Sequence, residues 1–142
     1  MEFNIARDYS PYTGLRHAVN SDLSGEDFYH KKLNAVFAEA YEKKEQLYLD
    51  LDGSLDGYAP SFLDEAIGNL VFDFGLNVVK SILILKSERE SQWHFMVEHQ
   101  TYPNWDKRIQ ENNPPKVTEN HGAWFRLVNG ELEKKVWCNP KS

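Results

Sequence analysis

Read for apolar spacing, the chain divides into alternating strand-like and helix-like segments. "EFNIARD" (2–8) alternates as a first strand, and "SPYTGLR" (10–16) interrupts it with Pro11 and Gly14. "HAV" (17–19) reads as a short returning strand of a hairpin. From Ser24 onward Tyr29, Leu33, Val36, Phe37, Ala40 and Tyr41 recur at helical spacing, and Ser24 ahead of Asp27 is a capping pattern for that helix. "QLYLDLDG" (46–53) is an apolar strand followed by a loop marked by Gly53, Gly57 and Pro60. A second helix, 61–75, carries the stripe Leu63, Ala66, Ile67, Leu70, Val71 and Phe74, with Gly75 placed to end it.

"SILILKS" (81–87) has the near-continuous apolar character of a strand covered on both faces. A third helix is expected over 89–101 with Trp93, Met96 and Val97 inward, then one short helix before Pro114-Pro115. The last apolar stretch, "AWFRLVNGELEKKVW", reads as a hairpin turning at Asn129-Gly130, with Trp124 and Trp137 facing each other across it. Strand and helix in alternation predict an α/β fold: a small mixed, largely parallel central sheet with packed helices, plus a C-terminal β-hairpin extension. The expected division is a core over 1–101 and an extension over 102–142.

Composition narrows the class. The 142 residues are 41% hydrophobic and 13% aromatic, enough for one domain with a real core. A formal net charge of -6 disfavours nucleic acid as a partner, because phosphates are repelled. Cys138 is the one cysteine, so an internal disulfide is excluded and a reducing, cytoplasmic setting is expected. No stretch has the apolar length of a membrane helix, and no membrane association is expected.

Two chemistries fit the run "LYLDLDGSLDGY". Asp50 and Asp52 after an apolar strand match the opening motif of haloacid dehalogenase-like phosphatases, with Asp50 as nucleophile and Asp52 as acid and base beside Mg²⁺. Ser87 and Lys107 would have to supply the rest, and no acidic pair follows a later strand. The other reading is structural, since Asp and Gly favour turns. The same run lacks the closing Glu of a calcium loop. His94, Glu98 and His99 lack a further ligand at metal spacing, and no Gly-rich phosphate loop is present, so neither a metal nor a cofactor is expected.

The blocks "YTGLR...SDLSGEDFYHKKL" and "LYLDLDGSLDGYAPSFLDEAIGNLV" together resemble the STAS-like domain family of unknown function, DUF4325, over roughly residues 8–86. The resemblance implies a fold like that of the anti-sigma factor antagonists. In that wider group a Ser at the start of the helix after a central strand is phosphorylated by a histidine-kinase-like ATPase, which disrupts docking. Ser61 stands at the corresponding position, but the preceding residues are Ala59-Pro60 where those antagonists have Asp-Ser. Without the family, Ser61 reads as a helix cap with Asp64 reaching back.

Ligands of α/β sheets bind beyond the carboxyl ends of parallel strands. That edge is expected to carry Asp52, Ser54, Asp56 and Ser61, with Arg16 and Glu26 near and Asp64 and Glu65 on the helix start. The sequence therefore predicts a regulatory or protein-interaction module that docks a protein partner around Ser61, with the Mg²⁺-dependent phosphohydrolase as its alternative.

Overall fold

The computed structural model describes residues 1–89 and 91–140. Glu90, inside the expected helix 89–101, and Lys141 and Ser142, at the end of the expected extension, lie outside the described residues. β1 (Glu2–Asn4), β2 (Leu47–Asp50) and β3 (Leu83–Lys86) form a sheet of order β1-β2-β3 that is parallel throughout. β4 (Trp124–Val128) and β5 (Glu131–Lys135) form a separate antiparallel hairpin. Asn129 and Gly130 turn it with φ of 52° and 82°, the left-handed values that this pair of residues tolerates.

The first expected strand is cut short by its own polar residues. The Asn4 side chain accepts from Arg7 N at 2.7 Å while Asp8 accepts from Asn4 N at 2.9 Å, so residues 5–8 coil into α1 (Ile5–Asp8). The expected strand at 17–19 is a turn, with the N–H groups of Asn20 and Ser21 both donating to His17 O. Ser24 caps as expected, accepting from Asp27 N at 3.0 Å. The helix it starts runs through α2 (Gly25–Phe28), a π-helical segment (Tyr29–Leu33) and α3 (Asn34–Lys43).

Two further boundaries move. Ser81 and Ile82 belong to α5 (Leu76–Ile82), so β3 begins only at Leu83. The expected third helix begins at Gln92 and does not stop at 101: α6 (Gln92–Met96) and a π-helical segment (Val97–Thr101) continue into α7 (Tyr102–Gln110). Pro103 lies inside this continuous run, just after the π-helical segment, where the hydrogen-bond ladder is already shifted.

α4 (Pro60–Phe74) is the hub of the fold and packs against α2, α5, α7 and β4. Its whole expected stripe is buried, and so are Phe62, Glu65, Asn69 and Asp73 on other faces. Close approach is built in: a Cβ on Gly68 would lie 2.0 Å from the Trp105 ring of α7, and one on Gly25 would lie 2.4 Å from Phe62 O. Glycine at these two positions lets α7 and α2 sit directly on α4.

The helices cover one face of the sheet. Phe3, Leu47, Leu49 and Leu83 are buried on that side, whereas Tyr48 is 37% exposed and Ile84 only half-buried on the other. β3 is thus not covered on both faces as its apolar sequence suggests. The polar ends of the sheet's other face (Glu2, Asp50, Lys86) mark the uncovered side, because strand side chains alternate. The hairpin is fastened to the helices by polar contacts. Asn34 acts as a one-residue strand, donating to Phe125 O and accepting from Phe125 N, both at 2.9 Å. Trp137 donates to Trp124 O across the hairpin.

Candidate interaction site

Parallel register brings Asn4, Asp50 and Lys86 side by side at the carboxyl edge of the sheet. The turns beyond them are tied together by two aspartates. Asp50 accepts from Asp52 N at 2.9 Å, an Asx-type turn that bends the chain out of β2. Asp52 accepts from Glu88 N at 3.0 Å and from Ser87 Oγ at 3.3 Å, while its carbonyl accepts from Asn4 Nδ2 at 3.0 Å. The Glu88 N–H and its neighbours hold the Asp52 carboxyl below the usual range. Both aspartates therefore carry structural hydrogen bonds, and the recess beside Asp52, bounded by Gly53, Ser54 and Arg89, measures about 90 Å³. Lys107 is an exposed residue of α7 and does not border that recess.

The loop after β2 is stiffened by an adjacent loop from the N-terminal region. Leu55 N donates to Pro11 O at 3.0 Å, Ser54 Oγ to Gly57 O at 2.9 Å, and Thr13 Oγ1 to Gly57 O at 3.4 Å. Tyr58 turns inward and donates to Leu51 O at 2.8 Å. These bonds hold out three large apolar side chains: Leu55 is 65% exposed, Leu15 53% and Tyr12 52%. Asp56 is exposed beside Leu55.

Ser61 borders this ridge but does not cap α4. The N-cap is Ala59, extended at φ -70° and ψ 135°, with Pro60 at the first helical position. Proline's fixed φ and missing N–H suit that position, so the helix begins one residue earlier than a Ser61 cap requires. Ser61 lies half-buried in the first turn. Asp64 does not reach back either: it accepts from Arg16 Nη1 at 2.7 Å and from Trp105 Nε1 at 3.3 Å.

Arg16 also donates to Glu65 at 3.1 Å, so it clamps both carboxylates of the helix start. Burial works against the charge of Arg16, and the two carboxylates more than restore it. Burial raises Glu65, which is only 1% exposed, against hydrogen bonds from Asn69 and Arg16 and the nearby charge of His17. The structure thus joins Arg16, Asp64, Glu65 and Ser61 at one corner, with Asp56 on the neighbouring ridge.

Glu26 stands apart from that corner. Its N–H donates to Arg16 O, but its carboxylate is buried and points toward the segment before β4. It accepts from Thr118 Oγ1 at 2.6 Å, Thr118 N at 2.9 Å, Ala18 N at 3.1 Å, Glu119 N at 3.3 Å and His121 Nε2 at 2.5 Å. Burial alone would raise its pKa, but the bonds from His121, Thr118 and Ala18 prevail and hold it well below the usual carboxylate range. His121 stacks on His30 at a ring separation of 4.2 Å. Burial, reinforced by His121, lowers His30 to about 3 and keeps it neutral. Sequence reasoning missed His30, Thr118 and His121, whose only signal was polarity in otherwise featureless stretches.

A second buried carboxylate, Asp73 near the end of α4, accepts from Tyr29 Oη and from Arg126 Nε, the latter at 2.9 Å. Burial raises it to about 6, against the pull of Arg126. Among the described residues no group of three or more His, Cys, Asp or Glu is placed to hold a metal ion. No helix of the described residues is long and apolar enough to cross a membrane.

A three-stranded parallel sheet with its helices on one face, and polar turns at its carboxyl edge, defines a small α/β module of STAS-like type. Residues 24–93 match the family described as STAS-like domain of unknown function (DUF4325). The match runs from α2 through α3, β2, α4, α5 and β3 into the start of α6 and includes Ser61, Asp64 and Glu65. No curated protein and no solved structure matches the chain.

Proposed function

We propose that the chain is a regulatory interaction module that docks a protein partner on the ridge formed by loops 10–16 and 53–59 and the start of α4. The observation that carries this reading is the exposure of Tyr12, Leu15 and Leu55 on loops locked by hydrogen bonds. A rigid apolar ridge loses little conformational entropy on binding. Exposed Asp56 and the net charge of -6 favour a partner whose apolar recess is rimmed by Lys or Arg. The STAS-like family supports the same edge, and a histidine-kinase-like ATPase is the partner class that the resemblance implies.

Ser61 is the regulatory position in this reading. Phosphate there would lie at the positive end of α4, a 15-residue helix, where Pro60 has no N–H and Phe62 N already donates to Ala59 O. Arg16 already neutralises much of the charge of Asp64 and Glu65, so the added dianion faces less repulsion than the sequence implies. Its main effect falls on the ridge, which would change from apolar to strongly anionic at one end.

The test is capture from lysate with the wild-type chain, Leu55→Asp and Ser61→Asp side by side. A protein retained by wild type and depleted at least tenfold by both variants is the expected result. Equal retention by all three would refute the ridge as the docking face. Mg²⁺-dependent phosphatase turnover abolished by Asp50→Asn would replace the reading with the enzymatic one.

A further inference from the structure

Successive residues in a parallel ladder turn their backbone groups to opposite edges. In β3, Leu51 N donates to Lys86 O at 2.9 Å, which directs Lys86 and Ile84 to β2 and leaves the backbone of Leu83 and Leu85 facing outward. Two of those outward groups are filled from within the chain. Leu83 N donates to Val79 O, closing α5, and Leu85 O accepts from His94 Nε2 at 2.8 Å. A paired strand would use every outward group, so this edge does not take one. Between the two filled positions there remain one acceptor, Leu83 O, and one donor, Leu85 N, neither with a described partner.

Both residues line a recess of about 490 Å³, a volume in the range of small-molecule sites. Leu83 is only 5% exposed, so water has little access to its carbonyl, and a buried backbone acceptor calls for a partner. Phe95, Val97 and Tyr102 form the helix-side wall. Phe95 stands 64% exposed, its ring 4.3 Å from that of His99. Tyr102 is buried, and its hydroxyl has no described hydrogen-bond partner. Burial and the charge of Glu98 raise that hydroxyl to about 12, so it stays a donor. Lys80 brings an ammonium group to the recess, but Glu98 lies 3.6 Å from it and balances its charge.

We infer that this recess binds an uncharged planar heterocycle of nucleobase type, which presents an N–H donor to Leu83 O and an adjacent acceptor to Leu85 N. A carbonyl and an N–H two residues apart on one strand edge are matched by an amino-azine or a lactam, because each carries a donor and an acceptor side by side in one plane. Set edge-on against β3, the ring continues the plane of the sheet and lays one face on Val97 and Tyr102, with Phe95 beside it.

Other ligand classes fit worse. A carboxylate or phosphate would set an oxygen against Leu83 O, and the ammonium group it requires is already paired with Glu98. An aliphatic ligand would cover both backbone groups and satisfy neither.

Two-dimensional NMR of the 15N-labelled full chain, titrated separately with adenosine, an amino-azine, and uridine, a lactam, tests this. The expected result with at least one of them is a saturable downfield shift of the Leu85 amide proton, together with shifts at Phe95 and Val97. The N-methylated analogues that lose the donor, N6,N6-dimethyladenosine and 3-methyluridine, are expected to bind at least tenfold more weakly. ATP is expected to bind no tighter than adenosine. Leu85→Pro removes the outward N–H at an edge position where proline spares the bonds to β2, and should abolish the shifts at Phe95 and Val97. Should that variant unfold, Phe95→Ala, at an exposed position, should weaken binding at least threefold with an unchanged far-UV circular dichroism spectrum. No saturable shift at Leu85 with either nucleoside would overturn the inference. So would equal binding of the N-methylated analogues, ATP binding at least tenfold tighter than adenosine, or full affinity in a folded Leu85→Pro chain.

Discussion

Glu26 and Asp73 are two carboxylates sealed from solvent, and the chain between Val117 and Val128 reaches both, yet they stand at opposite ends of the carboxylate range. The difference lies in who donates. Glu26 sits where backbone N–H groups of Ala18, Thr118 and Glu119 converge, with a hydroxyl and an imidazole completing the set. Asp73 has the side-chain donors of Arg126, Tyr29 and Trp124 but no backbone amide among its described partners, and burial prevails. A cation with side-chain donors thus does less here to keep a buried carboxylate ionised than converging backbone amides do.

The largest expected effect breaks the first site. Glu26→Ala strands several buried donors at once and should cost about 3–5 kcal/mol, read as a lowered urea midpoint. The second site should respond less and in a pH-dependent way. Arg126→Met removes the cation from Asp73, at a cost of about 2 kcal/mol near pH 8, and less near pH 5, where Asp73 takes up a proton. Asp73 is raised from an ordinary 3.8 to about 6, so its proton-linked stability is full below 3.8 and lost as pH rises through about 6. Glu26 is depressed, so its contribution is full above an ordinary 4.5 and lost as pH falls toward its folded value. Asp73→Asn should therefore remove the decline between about pH 4 and 6 while sparing the acid limb; a midpoint-versus-pH curve parallel to wild type would contradict the assignment. The smallest effect is that of Thr118→Val, which deletes the hydroxyl donor but keeps the backbone one, and should lower stability by about 1 kcal/mol in the same urea titration.

Much of the fold was legible because its signals are local. Ser24 caps, Gly75 ends α4, and Asn129-Gly130 turns the hairpin, each through a preference that acts within a few residues. β3 misled because an apolar run does not say what covers it: Ile84 and Leu85 look alike in sequence and face opposite sides of a sheet clothed on one. At the candidate site, Asp52 and Asp56 were placed at the strand edge by motif and order. Ser61 was misread as a cap because Pro60 takes the first helical position. The Arg16 clamp rests on partners 48 and 49 residues away, and all the donors of Glu26 except Ala18 N lie 92 to 95 residues away, so little in either neighbourhood announces them.

The Glu26 site also bears on the order in which the chain organises. Ser24 and the first helical turn can form early, since their contacts are local, but the carboxylate they carry into the interior finds Thr118 only after a loop of 92 residues has closed. Closure of so long a loop is slow but, because its entropic cost grows only logarithmically with length, not prohibitively unfavourable. Until then Glu26 is better solvated than buried. Acid that protonates Glu26 makes it a weaker acceptor for the amides, hydroxyl and imidazole that converge on it, so closure of the 117–121 segment over it gains less as pH falls.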